Sequence, residues 1–153
     1  MMRTMYVSKA EQAFTHGDLQ SMCFRFAAAN ARVEISGVLL RIGNYFVQVL
    51  EGEDALVAGL MRKIRRDHRH SSVTVLLTEE ASSRVFAEWS MHVIDCDQTY
   101  YVDLEELAEL REQIEDVCSA TASKKEAFAR LVVHMVEHVR RRSAITHAAA
   151  ASG

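Results

Sequence analysis

The sequence predicts an α/β domain of the α+β kind: a ferredoxin-like β-α-β-β-α-β-β sheet with two helices on one face, followed by two C-terminal helices. Three observations carry this. Short runs of β-branched and aromatic residues alternate with stretches whose apolar residues recur at helical spacing. A Gly-Asn pair separates two adjacent strand-like runs, as in a hairpin. Beyond Cys96 the composition turns helical.

The elements follow in order. Residues 3–8 (RTMYVS) read as the first strand. From about Asp18 to Asn30, Leu19, Met22, Cys23, Phe26 and Ala27 make one face of an amphipathic helix, with Gly17 and Asp18 near its start. In VEISGVLLRIGNYFVQVLEG, Ile42-Gly43-Asn44 divides strands at about 34–41 and about 45–50. Glu53 and Asp54 suit the positive end of a second helix, whose stripe is Leu56, Val57, Leu60, Met61 and Ile64. That helix runs into the basic sequence RKIRRDHRH. Ser72–Thr78 and Ser90–Ile94 are the fourth and fifth strands.

Asp103 with Glu106, and Ser123 with Glu126, have capping-box spacing and open helices at about 104–118 and about 124–142. The last of these places Phe128, Leu131, Val132, Met135, Val136 and Val139 on one face, to cover the open sheet face or to pair between copies. It ends in Arg140-Arg141-Arg142, and the tail THAAAASG is expected to fray. The expected division is a domain over 1–96, a two-helix extension over 97–146 and a disordered tail over 147–153.

Bulk properties narrow the function. A chain of 153 residues fits one domain. The net charge of -3 offers no general attraction to nucleic acid or an anionic membrane. No apolar run reaches the roughly 20 residues that span a bilayer, and MMRTMYVSKA lacks the apolar stretch of a signal peptide. Cys23, Cys96 and Cys118 show no CxxC spacing and read as reduced thiols in a cytoplasmic protein. Proline is absent, so turns rest on Gly, Asn, Asp and Ser.

Chemistry-bearing residues are scattered: Tyr6 on the first strand, Asn30 at the end of the first helix, Gln48 on the third strand, Trp89 and Met91 on or beside the fifth. In a split-βαβ sheet the strand after the first helix lies at the edge, and the first and third strands are central neighbours. Tyr6 and Gln48 can then stand side by side facing the helices. A phenol donates one hydrogen bond and a carboxamide both donates and accepts, so the pair could address a polar ring edge. Each alone has a plainer reading: a strand Tyr that packs its ring, and a buried Gln that serves a backbone group.

Five segments together resemble the BLUF domain: Tyr6–Ala10, Asn30–Gly37, Phe46–Gly52, Ile64–His70 and Phe86–Met91. They stand in that family's order across about 3–95, and their joint register makes the match specific. The resemblance implies a blue-light sensor that holds FAD non-covalently between the two helices. It implies that Tyr6 passes an electron to the excited flavin, that Gln48 lies between Tyr6 and the ring, and that Asn30 bonds the pyrimidine edge. Trp89 and Met91 match the pair that relays the change; Met22 and Ile64 match the residues covering the ring faces. Arg66, Asp67 and His70 fall where the ribityl and phosphate groups are expected, and equally where a solvated helix end would lie. Ala29, Phe26 and Met22 depart from the family's usual residues.

The expectation is therefore a sensor with no enzyme activity of its own. The stretch after Cys96 is too short for a cyclase or phosphodiesterase, so the signal would leave through contact surfaces to a protein partner, with self-association also expected. Rival readings are a flavin-dependent redox enzyme or acylphosphatase-like hydrolase on the same fold, and a flavin-free module binding a small metabolite. His134 and His138 are four apart with no evident third ligand, so no metal is expected.

Overall fold

The computed structural model describes residues 1–98 and 103–151. In chain order the elements are β1 (Met2–Ala10), α1 (His16–Ala31), β2 (Ser36–Ile42), β3 (Tyr45–Gly52), α2 (Asp54–Ile64), β4 (His70–Glu80), β5 (His92–Asp95), α3 (Leu104–Val117) and α4 (Ala122–Ala151). They fall into two compact units, Met1–Gln98 and Thr99–Gly153.

The five strands form one sheet in the order β4-β1-β3-β2-β5. β1, β2, β3 and β4 pair antiparallel, and β5 runs parallel to β2. The sequence reading puts β2 at the edge. Instead β5 pairs along its outer side, from Val38 opposite His92 to Arg41 opposite Asp95, so β2 is interior. β1 and β3 remain central neighbours, and their register sets Tyr6 directly opposite Gln48.

Alternation along the strands gives the sheet two distinct faces. Tyr6, Leu39, Phe46 and Leu50 share one buried cluster with Leu19, Met22 and Cys23 of α1 and with Val57 and Met61 of α2. Both helices therefore lie on that face. α1 begins earlier than Asp18, because the hydroxyl of Thr15 accepts from Asp18 N while the Asp18 carboxylate accepts from Thr15 N. This reciprocal cap satisfies two of the donors that a helix start leaves open. β2 begins at Ser36 instead of 34 because Glu34 takes a left-handed backbone, φ 52°, that no strand continues. β5 is short, and Ser90 and Met91 precede it.

In the second unit, α3 is capped by Asp103, whose carboxylate accepts from Glu105 N and Glu106 N. α4 starts one residue before Ser123, and the Thr121 hydroxyl accepts from Lys124 N. The helix continues to Ala151, through most of the tail expected to fray; residues 152 and 153 lie outside the described residues. Phe128, Val132, Met135, Val136 and Val139, along the apolar stripe of α4, are buried.

Two glycines allow a stability comparison. A Cβ on Gly37 of β2 would lie 2.1 Å from the carbonyl oxygen of Val49, a backbone atom that cannot swing away. Gly43, in the β2–β3 turn, has φ +57° and open space around it. Gly37→Ala should cost about 3 kcal/mol or prevent folding, as overpacking does. Gly43→Ala should cost only about 1 kcal/mol, the left-handed penalty of an L-residue. Urea unfolding of the two variants beside the wild type measures both.

Candidate functional site

A cavity of about 310 Å³ opens between α1 and α2 over the helix-covered face of the sheet. Its floor is Tyr6, Leu39, Phe46 and Gln48, one cross-strand patch of β1, β2 and β3. Met22, Phe26, Ala29 and Asn30 come from α1, and Leu60, Lys63 and Ile64 from α2. Phe14, Asp67, Arg69, His70 and Met91 complete the lining. Apolar walls with a few convergent polar groups are the usual make-up of a small-molecule site.

A line of hydrogen bonds runs along the floor. Tyr6 donates its hydroxyl to Gln48 Oε1. Gln48 Nε2 then donates to Met91 Sδ at 3.3 Å. Asn30 Nδ2 donates to the carbonyl of Ser90 at 3.0 Å, so the segment entering β5 is held by both amides. Burial, and after it the charge of Asp67, pushes the Tyr6 phenol well above its ordinary value. It is thus a neutral donor at any physiological pH. Cys23, next to it in the same cluster, is pushed up to about 11 by burial and stays a thiol.

The rim is polar. Arg69 forks onto Asp67, with Nε 2.9 Å from Oδ1, and its guanidinium lies over the Phe26 ring at 5.2 Å. His70 joins three elements: Nε2 lies 2.8 Å from the Ile64 carbonyl and Nδ1 2.7 Å from the Ser8 hydroxyl. A carbonyl only accepts, so Nε2 carries a proton.

The family model described as BLUF, sensors of blue-light using FAD, matches residues 1–92. This chain belongs to the BLUF family. It is 34% identical over 87 residues to the photoactivated adenylate cyclase subunit beta of Euglena gracilis, covering 56% of this chain and 10% of that protein. It is 35% identical over 66 residues to the blue light- and temperature-regulated antirepressor BluF of Escherichia coli (strain K12), covering 43% of this chain and 16% of that protein. A solved bacterial light-regulated adenylyl cyclase superposes with a TM-score of 0.67 at 31% identity, over 76% of this chain and 34% of that one. The chain spans only about a tenth to a sixth of these curated relatives, so the likeness is one of the sensory domain.

The cofactor of a BLUF domain is FAD. Its ring system has two flat apolar faces and one polar edge, and the residues present fit it. Met22 and Ile64 line the cavity from opposite helices, while Gln48 and Asn30 bring carboxamides to it. Lys63 adds a cation among the lining residues, where a diphosphate chain needs one.

Most residues singled out in the sequence meet here: Tyr6, Met22, Asn30, Gln48, Ile64, Asp67, His70 and Met91 all line the cavity. Two do not. Arg66 is absent from the lining because Leu60, Lys63, Ile64 and Asp67 follow helical spacing on the inner side and Arg66 falls between them. Trp89 stacks instead on His92, with ring centroids 4.2 Å apart, and on Phe86 at 5.9 Å. Met91 alone of the two reaches Gln48. Lys63, Arg69 and Phe14 were missed. The helical period carried on from Leu60 picks out Lys63, whereas Arg69 and Phe14 lie in loops with no periodic signal.

The rim makes a pH prediction. Hydrogen bonds from Arg69 hold the Asp67 carboxyl down at about 2, below the ~3.9 of an unfolded aspartate. Folding therefore gains from this pair fully above pH ~4, and the gain is lost as pH falls toward 2. Since both partners are partly exposed, solvent screening limits it to about 1 kcal/mol or less. Asp67→Asn should remove that acid-limb loss, read as urea stability against pH.

Proposed function

We propose that this chain is a blue-light receptor in which Tyr6 and Gln48 are the photoactive pair and Met91 is the first relay. When bound, FAD would supply blue-light absorption and, once excited, an oxidant for the phenol. Everything after that is the work of this chain's own groups. A phenol that has lost an electron is a strong acid, and the hydrogen bond from Tyr6 assigns its proton to Gln48 Oε1. Either rotation or tautomerisation of the Gln48 carboxamide then changes what Nε2 offers to Met91 Sδ. When the proton and electron return to Tyr6, the altered carboxamide and its partners persist as the signalling state.

The buried line Tyr6–Gln48–Met91 is the observation that carries this reading, because it couples the acceptor of the Tyr6 proton to the segment entering β5. A light-made state signals only if it interacts differently with two conformations, and the Gln48–Met91 contact supplies such a difference. In the same reading Asn30 holds the pyrimidine edge, Met22 and Ile64 cover the ring faces, and Asp67 and His70 border the ribityl chain. Arg66 has no part in it.

The receptor has no turnover of its own in this reading. It hands its state to a protein partner, as a sensory domain does, and acts in the cytoplasm, where the buried free thiols Cys23 and Cys96 suit reducing conditions. Light-minus-dark absorption of the purified, flavin-loaded wild type and of Tyr6→Phe tests the mechanism. The wild type should show a reversible red shift and release FAD, not FMN, on denaturation. Tyr6→Phe should keep the flavin and lose the shift; an unimpaired photocycle in that variant rules out the assigned role of Tyr6.

A further inference from the structure

Residues 81–91 join β4 to β5 without regular structure, yet Ala81, Phe86 and Met91 are buried. Backbone groups in such a segment need partners other than a ladder. The fully buried carboxylate of Glu51 provides two. Its Oε1 accepts from Val85 N at 3.0 Å and its Oε2 from Phe86 N at 2.9 Å. Arg3 Nε balances the charge at 2.7 Å. Arg84, from the same segment, donates to the Ser36 hydroxyl at 2.8 Å and to the Glu51 carbonyl at 3.0 Å. Bonds to a charged acceptor are roughly twice as strong as neutral ones, so this is a firm anchor.

The anchor stands in a fixed relation to the photoactive pair. Arg3, Glu51 and Ser36 are register partners across β1, β3 and β2, as are Tyr6, Gln48 and Leu39. The rows are three residues apart, and odd spacing along a strand puts them on opposite faces of the sheet. One irregular segment meets both rows, Glu51 at Val85–Phe86 and Gln48 at Met91.

We propose that Glu51 is a positioning residue for the photocycle, holding the near end of this segment so that Met91 returns to Gln48 in the dark, and thereby sets the recovery rate. This rests on the roles given to Gln48 and Met91 above. Val85 and Phe86 are pinned by Glu51, and nearer Met91 the Trp89 carbonyl accepts from Gly37 N and the Ser90 carbonyl from Asn30, so Glu51 fixes the near end of a segment held at several points. Without the carboxylate the near end is released, and the placement of Met91 rests on the Trp89 and Ser90 bonds and the start of β5 alone. Glu51→Gln keeps the size but leaves one acceptor oxygen for two N–H groups and turns an amide N–H toward the other.

The experiment follows dark recovery after a blue flash in the flavin-loaded full chain. It compares wild type, Glu51→Gln, Arg84→Gln, Met91→Leu and the double variant Glu51→Gln/Met91→Leu. Glu51→Gln should keep the red shift and recover about three- to tenfold more slowly, the scale of one lost hydrogen bond, with Arg84→Gln slowed in the same direction. On the Met91→Leu background, Glu51→Gln should change the rate by less than about twofold, because the residue it positions is gone. A wild-type protein without any red shift would refute the photoreceptor mechanism itself. A normal wild-type shift with Glu51→Gln at the wild-type rate, or slowed equally on both backgrounds, overturns the positioning role alone. Should Glu51→Gln or the Met91→Leu background yield no measurable cycle, Arg84→Gln decides: slowed recovery upholds the anchor and an unchanged rate overturns it.

Discussion

A buried phenol and a buried carboxamide facing each other across two central strands set the terms for the rest of the molecule. Neither group can be left unpaired in an apolar cluster without a cost of about 1–3 kcal/mol. Burial keeps the proton on Tyr6, which donates it to Gln48 Oε1, so the carboxamide oxygen faces the phenol. The amide nitrogen is then turned toward Met91, where sulfur is a weak acceptor. One end of the carboxamide is thus well satisfied and the other poorly. In the proposed photocycle such an amide has little to lose by exchanging its partners when the phenol's proton is disturbed, which is the bistability a switch requires.

The sheet makes this arrangement cheap to build. The β1–β3 register sets Tyr6 opposite Gln48 and, three residues on, Arg3 opposite Glu51. Two polar rows on opposite faces are therefore placed by one antiparallel pairing, and a slip of one residue would turn both to the wrong side. Gly37, across from Leu50 on β2, lets that strand approach β3 where a Cβ would strike the Val49 carbonyl. Its N–H bonds the Trp89 carbonyl at 2.7 Å, so the close strand also guides the incoming segment toward β5.

Much of the fold was legible because its signals are periodic. The stripes Leu19–Met22–Cys23 and Val57–Leu60–Met61–Ile64 face inward as their spacing requires, and Gly43-Asn44 makes the turn between β2 and β3. The errors lie where tertiary partners override local pattern. Glu34 is a good strand neighbour in sequence, but its left-handed backbone delays β2. Ser90 looks like strand, yet its carbonyl is taken by Asn30 and pairing begins at His92. The position of β5 beside β2 depends on a crossover that no local run reveals. At the site, Tyr6, Gln48 and Asn30 stood out only jointly, through the BLUF resemblance. Choosing between Trp89 and Met91 needed the aromatic stack with Phe86 and His92, which no spacing encodes. Glu51 read as one more residue of a strand end because the donors it serves lie 34 and 35 positions away.

The route out of the site is constrained by α1. Asn30 near its C-terminus holds the carbonyl of Ser90, and His16 at its N-terminus lies 3.0 Å from the carboxylate of Asp95, which Arg41 also grips at 2.7 Å. Fourteen residues of helix rise about 21 Å, and five residues of extended chain span about 17 Å. The helix and the segment from Ser90 to Asp95 are thus of comparable length and tied together at both ends. A displacement of Met91 lies inside that frame. The segment cannot slide as a unit without breaking one of the two ties or carrying α1 with it, and α1 in turn holds Met22 and Asn30 on the cavity. The floor of the site and its wall are thus joined through α1 and the segment entering β5, tied at Ser90 and at Asp95.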